Sequence, residues 1–229
     1  DGLPLGLRRL RTGLPRDGDG SLSVRVRLFY EKRGGACFVP HIALAPLFTR
    51  TAWRAGLVPV MTQGFSPHAK MSFGPELPAG VVALMEPVDI HLESVPDDLI
   101  TRWNAAVPGG FRALSFLTIR EGAPSLGRDC RAALYWVRSP GVLSCEELAE
   151  RARDHYGEAV LEAGRASGED AEGWTNLVLD APARNGVGGW VKAMVASGGL
   201  KGWQDIHIVR VAIGSWDGTK IELPGHPAP

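Results

Sequence analysis

The chain has 229 residues, and its 25 lysines and arginines are balanced by 25 aspartates and glutamates, which speaks against binding nucleic acid through bulk charge. Hydrophobic residues make up 45% and charged residues 22%, so the chain has enough apolar side chains for a core and is not a disordered segment. Its 29 glycines and 17 prolines disfavour a helical bundle and call for many turns and short elements.

Three cysteines, Cys37, Cys130 and Cys145, are too few for a disulfide framework, and their odd number points to free thiols in a reducing compartment. No two of them have the spacing of a zinc knuckle, and no run of three could hold an iron–sulfur cluster, so neither a metal nor a cofactor is expected. No apolar stretch approaches the roughly 20 residues that span a bilayer. The opening DGLPLGLRRLRTGLPRDGDG lacks the apolar region of a secretory signal. A soluble, cytoplasmic protein without membrane contact is expected.

Residues 1–20 carry Arg8, Arg9, Arg11 and Arg16 among glycines and prolines, and read as a flexible basic arm. Val24, Val26, Leu28 and Tyr30 then alternate with Arg25, Arg27 and Phe29, the period of a strand with one buried face. A turn at Lys32–Gly35 leads to an extended Cys37–Val39. A helix is predicted over 46–55, opened by Pro46 and stopped by Gly56, with Arg50 and Arg54 four apart on one face. Short strands over 57–61 and 71–73, a longer one over 81–92, a helix over 97–106 and a strand over 111–119 complete the unit.

The second half repeats that layout. Strands are predicted over 131–138, 159–164, 174–179 and 205–213, with helices over 145–156 and 188–197, the first capped by Ser144 with Glu147 three positions on. The fold class read from this order is α+β, with two tandem ferredoxin-like βαββαβ domains spanning 21–121 and 128–217. A boundary falls near 121–127, and 218–229 is a tail. Residues 1–120 hold 14 basic and 10 acidic side chains and residues 121–229 hold 11 and 15, so a phosphate-bearing partner is expected on the first half.

The most distinctive motif is the loop Gln63-Gly64-Phe65-Ser66-Pro67-His68-Ala69-Lys70-Met71-Ser72-Phe73. Here Lys70 can meet a phosphate, Phe65 can stack on a base or pack inward, and His68 can move a proton near neutral pH. His41, before the first helix, is a second proton-transfer candidate, or it bonds free amides at the helix start. Arg25 and Arg27 with Phe29 suit either RNA on an open sheet face or a plain solvated one. The seven tryptophans are spread through both halves and read mostly as packing. A metal site at His41, His68 and His91 lacks ligand spacing. Phosphate-loop, dinucleotide-binding and nucleophile-elbow patterns are missing, which removes self-contained NTPase and hydrolase readings.

Five stretches, VRVRLFYEKRG (24–34), CFVPHIAL (37–44), RAGLVPVMTQGFSPHAKMSFGPELPAGV (54–81), VDIHL (88–92) and WNAAVPGGFRAL (103–114), together resemble the radical-SAM-linked domain of unknown function. That bacterial family is found alone or fused to radical SAM enzymes. Matching positions include Arg25, His41, Arg50, Arg54, Gln63, Gly64, Phe65, Pro67, His68, Lys70, Ser72 and Phe73. The family's usual Ser-His-Leu-Asp run is Pro40-His41-Ile42-Ala43 here, and Pro46 replaces an arginine. The resemblance implies an accessory role beside a radical SAM protein, with tRNA or rRNA modification or processing as its setting. The tandem layout also resembles CRISPR RNA-processing endonucleases in fold alone.

The expected function is RNA binding through Arg25, Arg27, Arg50, Arg54, Gln63, Phe65, Lys70 and Ser72 in support of a partner enzyme, without catalysis of its own. Two alternatives stand beside it. One is a metal-independent ribonuclease or RNA-modifying enzyme using His68 and His41, and the other is a module that docks a radical SAM partner without touching RNA.

Overall fold

A computed structural model describes residues 23–168 and 171–225, so the arm expected over 1–20 lies outside the described residues. The alternating segment forms β1 (Val24–Lys32). Val24, Val26, Leu28 and Tyr30 enter one core, while Arg25, Arg27 and Phe29 belong to the other face. The extended segment expected after it is instead a 3-10 turn over Gly34–Phe38, which Gly34 enters at φ +54°, a backbone setting that glycine adopts freely.

A second short 3-10 turn, His41–Ala43, runs into α1 (Leu44–Arg54). Pro46 lies third in α1 and not first. It does no harm there, because first-turn amides have no partner within the helix. Leu44, Phe48, Thr51 and Ala52 face inward. The strand expected over 57–61 reduces to isolated bridges, Pro59 with Leu92 and Met61 with Ala69, since Pro59 has no N–H for a ladder.

The remaining predicted elements follow in order with boundaries shifted by up to three residues, joined by two short elements outside the sequence reading, one over Leu126–Asp129 and one over Ile221–Glu222. They are β2 (Met71–Phe73), β3 (Val82–Leu92), α2 (Leu99–Ala106), β4 (Phe111–Ile119), α3 (Leu126–Asp129), β5 (Ala132–Arg138) and α4 (Cys145–Tyr156). Then come β6 (Val160–Arg165), β7 (Thr175–Asp180), α5 (Val187–Ala196), β8 (His207–Trp216) and β9 (Ile221–Glu222). The Ser144 cap forms as the sequence predicts: Ser144 Oγ accepts from the Glu147 amide at 3.2 Å, and the Glu147 carboxylate accepts from the Ser144 amide at 2.8 Å. Within the segment read as a tail, β9 pairs with β8.

The chain is thus α+β, built on one large, mostly antiparallel sheet ordered β4-β1-β3-β8-β5-β7-β6, with β2 beside β3 and β9 beside β8. The two halves meet where β3 and β8 run parallel, through Val82–Val209 and Ala83–Arg210. Two apolar cores lie between helices and sheet: one holds Phe48, Leu99 and Trp103, and the other holds Leu148, Trp190 and Val191 and also takes Leu77, Val81 and Ala83 from the first half. Two arginines, Arg27 and Arg210, are among the largest fully buried side chains.

Candidate functional site

The Gln63–His68 loop lies between α1 and β2, is flanked by the Met61–Ala69 bridge and closes on itself, the Thr62 amide donating to the His68 carbonyl at 2.8 Å. Gly64 makes the bend at φ +131°, which a side chain would strain. The Phe65 ring is fully exposed and does not pack into the core. His68 is also exposed, its Nδ1 3.1 Å from Thr62 Oγ1 and 3.2 Å from the Ser66 carbonyl. Gln63 and Ser72 are exposed, Lys70 is half-buried, and Arg50 and Arg54 stand on the outer face of α1.

His41 is held elsewhere. Its ring meets Phe73 edge-on with centroids 5.6 Å apart. From His68 to Phe73 the chain takes five residue steps, about 16 Å at ~3.3 Å each if extended. Among the described residues no hydrogen bond joins the two imidazoles. The two imidazoles thus have separate surroundings, His68 on the exposed loop and His41 against Phe73.

The strand arginines are a correction. Arg27 is buried and gives Asp89 two hydrogen bonds, at 2.7 and 3.0 Å, and Asp129 a third at 2.9 Å. Arg25 donates to Asp89 at 3.0 Å and to the carbonyls of Ala123 and Pro124. The open face read from the alternation is covered here by the segment around α3, so these guanidiniums tie the link between halves to β1 and β3. Phe29 beside them is fully buried.

What His41 does border is a narrow cleft where the halves meet, lined by Tyr30, Lys32, Leu44, Phe73, Leu77, Glu86 and Arg210 among others, with a volume of about 10 Å³, room for a single water. Arg210 holds Glu86 through two hydrogen bonds, the Nε one at 2.6 Å, and also donates to the carbonyls of Pro75 and Glu76. Lys32 is 2% exposed, and its ammonium donates to the Val39 carbonyl at 2.9 Å. No carboxylate pairs with it among the described residues. Burial pushes the Lys32 amine below its ordinary value, and the Arg210 cation adds to that shift while Cys37 and Glu86 oppose it. The His41 imidazole is lowered for the same main reason. Burial raises the Tyr30 phenol far above its usual value, so it stays protonated.

A second feature lies on the other side of the sheet. Tyr135 and Val137 of β5 join the helix-side core, which turns Trp136 and Arg138 to the opposite face. There the Trp136 and Trp174 rings lie 6.3 Å apart at 38°, and the Arg138 guanidinium sits 4.4 Å over the Trp174 ring. Both indoles are half-buried and Arg138 is exposed. Asn176, the register partner of Trp136, continues this face. Among the described residues no group of three or more His, Cys, Asp or Glu is placed to hold a metal.

Residues 25–173, well over half of the chain, match a family described as an uncharacterized protein conserved in bacteria, DUF2344. The chain belongs to this family. Among curated proteins none matches. The DUF2344 span contains Lys32, His41, Glu86 and Trp136, whereas Trp174 lies one residue beyond its end and Arg210 well beyond it, so both the cleft and the indole pair combine matched and unmatched chain.

Sequence reasoning missed Lys32, Arg210, Trp136 and Trp174. The signals were present for two of them. Lys32 continues the even-numbered, core-facing series of β1, and Trp136 with Arg138 alternates against Tyr135 and Val137. Arg210 and Trp174 gain their meaning from strand pairing across distant sequence.

Proposed function

We propose that this protein is an RNA-binding accessory of a bacterial radical SAM enzyme, acting in the cytoplasm in tRNA or rRNA modification or processing. In this reading the chain is two ferredoxin-like repeats, 21–121 and 128–217, and the second presents its sheet face to single-stranded RNA. The observation that carries it is the Trp136–Trp174 pair, one ring on β5 and the other just before β7, with Arg138 over the Trp174 ring. Base stacking on aromatic side chains of an open sheet, with a guanidinium nearby for phosphate or π-face, is a recurring means of holding single strands. Phe65, Lys70, Arg50 and Arg54 supply further contacts in the first half.

The test is quenching of indole fluorescence by a single-stranded oligoribonucleotide. Stacking contributes about 1–3 kcal/mol per base, so W136A and W174A are each expected to weaken binding roughly 5- to 150-fold. Unchanged affinity in both variants would remove the sheet face from the reading.

A second reading, docking of the radical SAM partner itself, is favoured by Ile42 at 85% and Trp53 at 51% exposure on and before α1. Exposed apolar side chains of this size mark protein contacts more than RNA contacts. Co-purification that survives nuclease and high salt but is lost in I42D/W53A supports it, and loss of the complex on nuclease treatment rejects it.

A further inference from the structure

The sheet face that carries the indole pair has a polarity set by strand register. Trp136, Asn176 and Gly164 form one row across β5, β7 and β6. Arg138 lies two residues along β5 to one side of that row, and Glu162 lies two residues along β6 to the other. Two residues of strand span about 7 Å. A base stacked on Trp136 therefore has a guanidinium toward one edge and a carboxylate toward the other. Glu162 takes this face because its neighbour Ala163 packs against the helix-side core. Its Oε1 accepts from Asn176 Nδ2 at 3.4 Å, and the rest of the carboxylate's acceptor capacity is unused among the described residues. Gly164 keeps the floor beside it low, with nothing within 4 Å of where a Cβ would stand.

We propose that this face selects guanine: the base stacked on Trp136 donates its N1–H and N2–H to the two oxygens of Glu162, while Arg138 meets an adjoining phosphate. The inference rests on the RNA reading and names the base which that surface prefers. Guanine alone among the four RNA bases presents two adjacent donors on its Watson–Crick edge, the pattern that a carboxylate accepts bidentately. Adenine and cytosine set one amino group beside a ring nitrogen acceptor, which the second carboxylate oxygen repels. Uracil sets a single N–H between two carbonyls. Asn176 is a positioning residue, steadying the carboxylate through its side-chain amide.

The probes are a uridine heptamer and its variants with one central guanosine, inosine, adenosine or cytidine, bound to the full chain at fixed salt and followed by indole fluorescence. The guanosine heptamer is expected to bind roughly 5- to 150-fold more tightly than the adenosine and cytidine ones, the discrimination of one good bidentate pair. Inosine, which lacks the N2 amine, is expected to fall between. E162Q is expected to lose the guanosine preference while its affinity for the plain uridine heptamer stays within about twofold of the parent. Heptamers that all bind equally, with binding still weakened in W136A, would overturn guanine selection and leave the RNA reading standing. A guanosine preference that persists in E162Q would do the same. No binding of any heptamer would overturn both. The ranking of heptamers on the unaltered chain decides the matter even where E162Q fails to fold.

Discussion

Arg27→Met separates a structural arginine from an RNA ligand. The Arg27 side chain is 1% exposed and its partner Asp89 is 3% exposed, so their two hydrogen bonds are shielded from water. Removing one partner of such a pair costs about 3–5 kcal/mol, because the other charge stays buried. Two features pull the cost toward the lower end. Arg25 still donates to Asp89 at 3.0 Å, and Asp129, 20% exposed, can be hydrated once its bond is lost. A loss of about 3 kcal/mol is expected, which for a chain of this size lowers the melting temperature by roughly 6–12 °C. Urea unfolding followed by tryptophan fluorescence and far-UV circular dichroism measures it. RNA affinity of the folded variant is expected to stay within about twofold of the parent, below ~0.5 kcal/mol. A variant as stable as the parent but with RNA binding abolished would refute this and restore Arg27 to a solvent-facing role.

Two pH predictions follow from burial. The Cys130 thiol is pushed up to about 12, chiefly by desolvation with Glu86 adding to it, so the folded chain keeps a proton that the unfolded chain releases near 9.0. That contribution to stability is fully present below pH 9 and is lost as pH rises toward 12. C130A should flatten the alkaline fall in unfolding free energy, and an unchanged slope would contradict it. His41 runs the other way: burial, helped by Arg210 and Lys32 and opposed by Glu76 and Glu86, lowers its pKa. Stability should therefore decline as pH drops below about 6.5, where the unfolded imidazole takes up a proton first. An NMR titration midpoint for His41 at or above its ordinary value would sink that account.

Much of the architecture is legible in the residues because its signals are local. The alternation at 24–30 gives β1, the Ser144–Glu147 pair gives the start of α4, and the glycine and proline punctuation places the connections. Pro59 defeats a strand reading through its missing N–H, and Gly34–Phe38 curls because the backbone bonds close to home. The candidate site is less legible. Alternation tells which face a side chain takes, but not what covers that face. Arg25 and Arg27 lie opposite the apolar residues, as a solvated strand face would, yet Asp89 and Asp129, more than 60 residues away, claim them. The same limit hides the cleft, where Arg210 meets Glu86 across 124 residues.

The two halves share a strand order but treat their second sheet face differently, and this bears on how a neutral chain could hold RNA. In the first half the linker seals that face with ion pairs that consume the basic residues. In the second the same face keeps two indoles and one exposed arginine, although that half is the more acidic. Binding there has to come from stacking more than from charge, and charge leaves a measurable trace. For single strands the slope of log affinity against log salt is about −0.7 per phosphate neutralised. With Arg138 and one or two further cations engaged, the expected slope is only about −1 to −2. A slope steeper than about −4 would require about six or more phosphate contacts, which the Arg138 region does not offer, and the binding surface would then have to be sought around Arg50, Arg54 and Lys70.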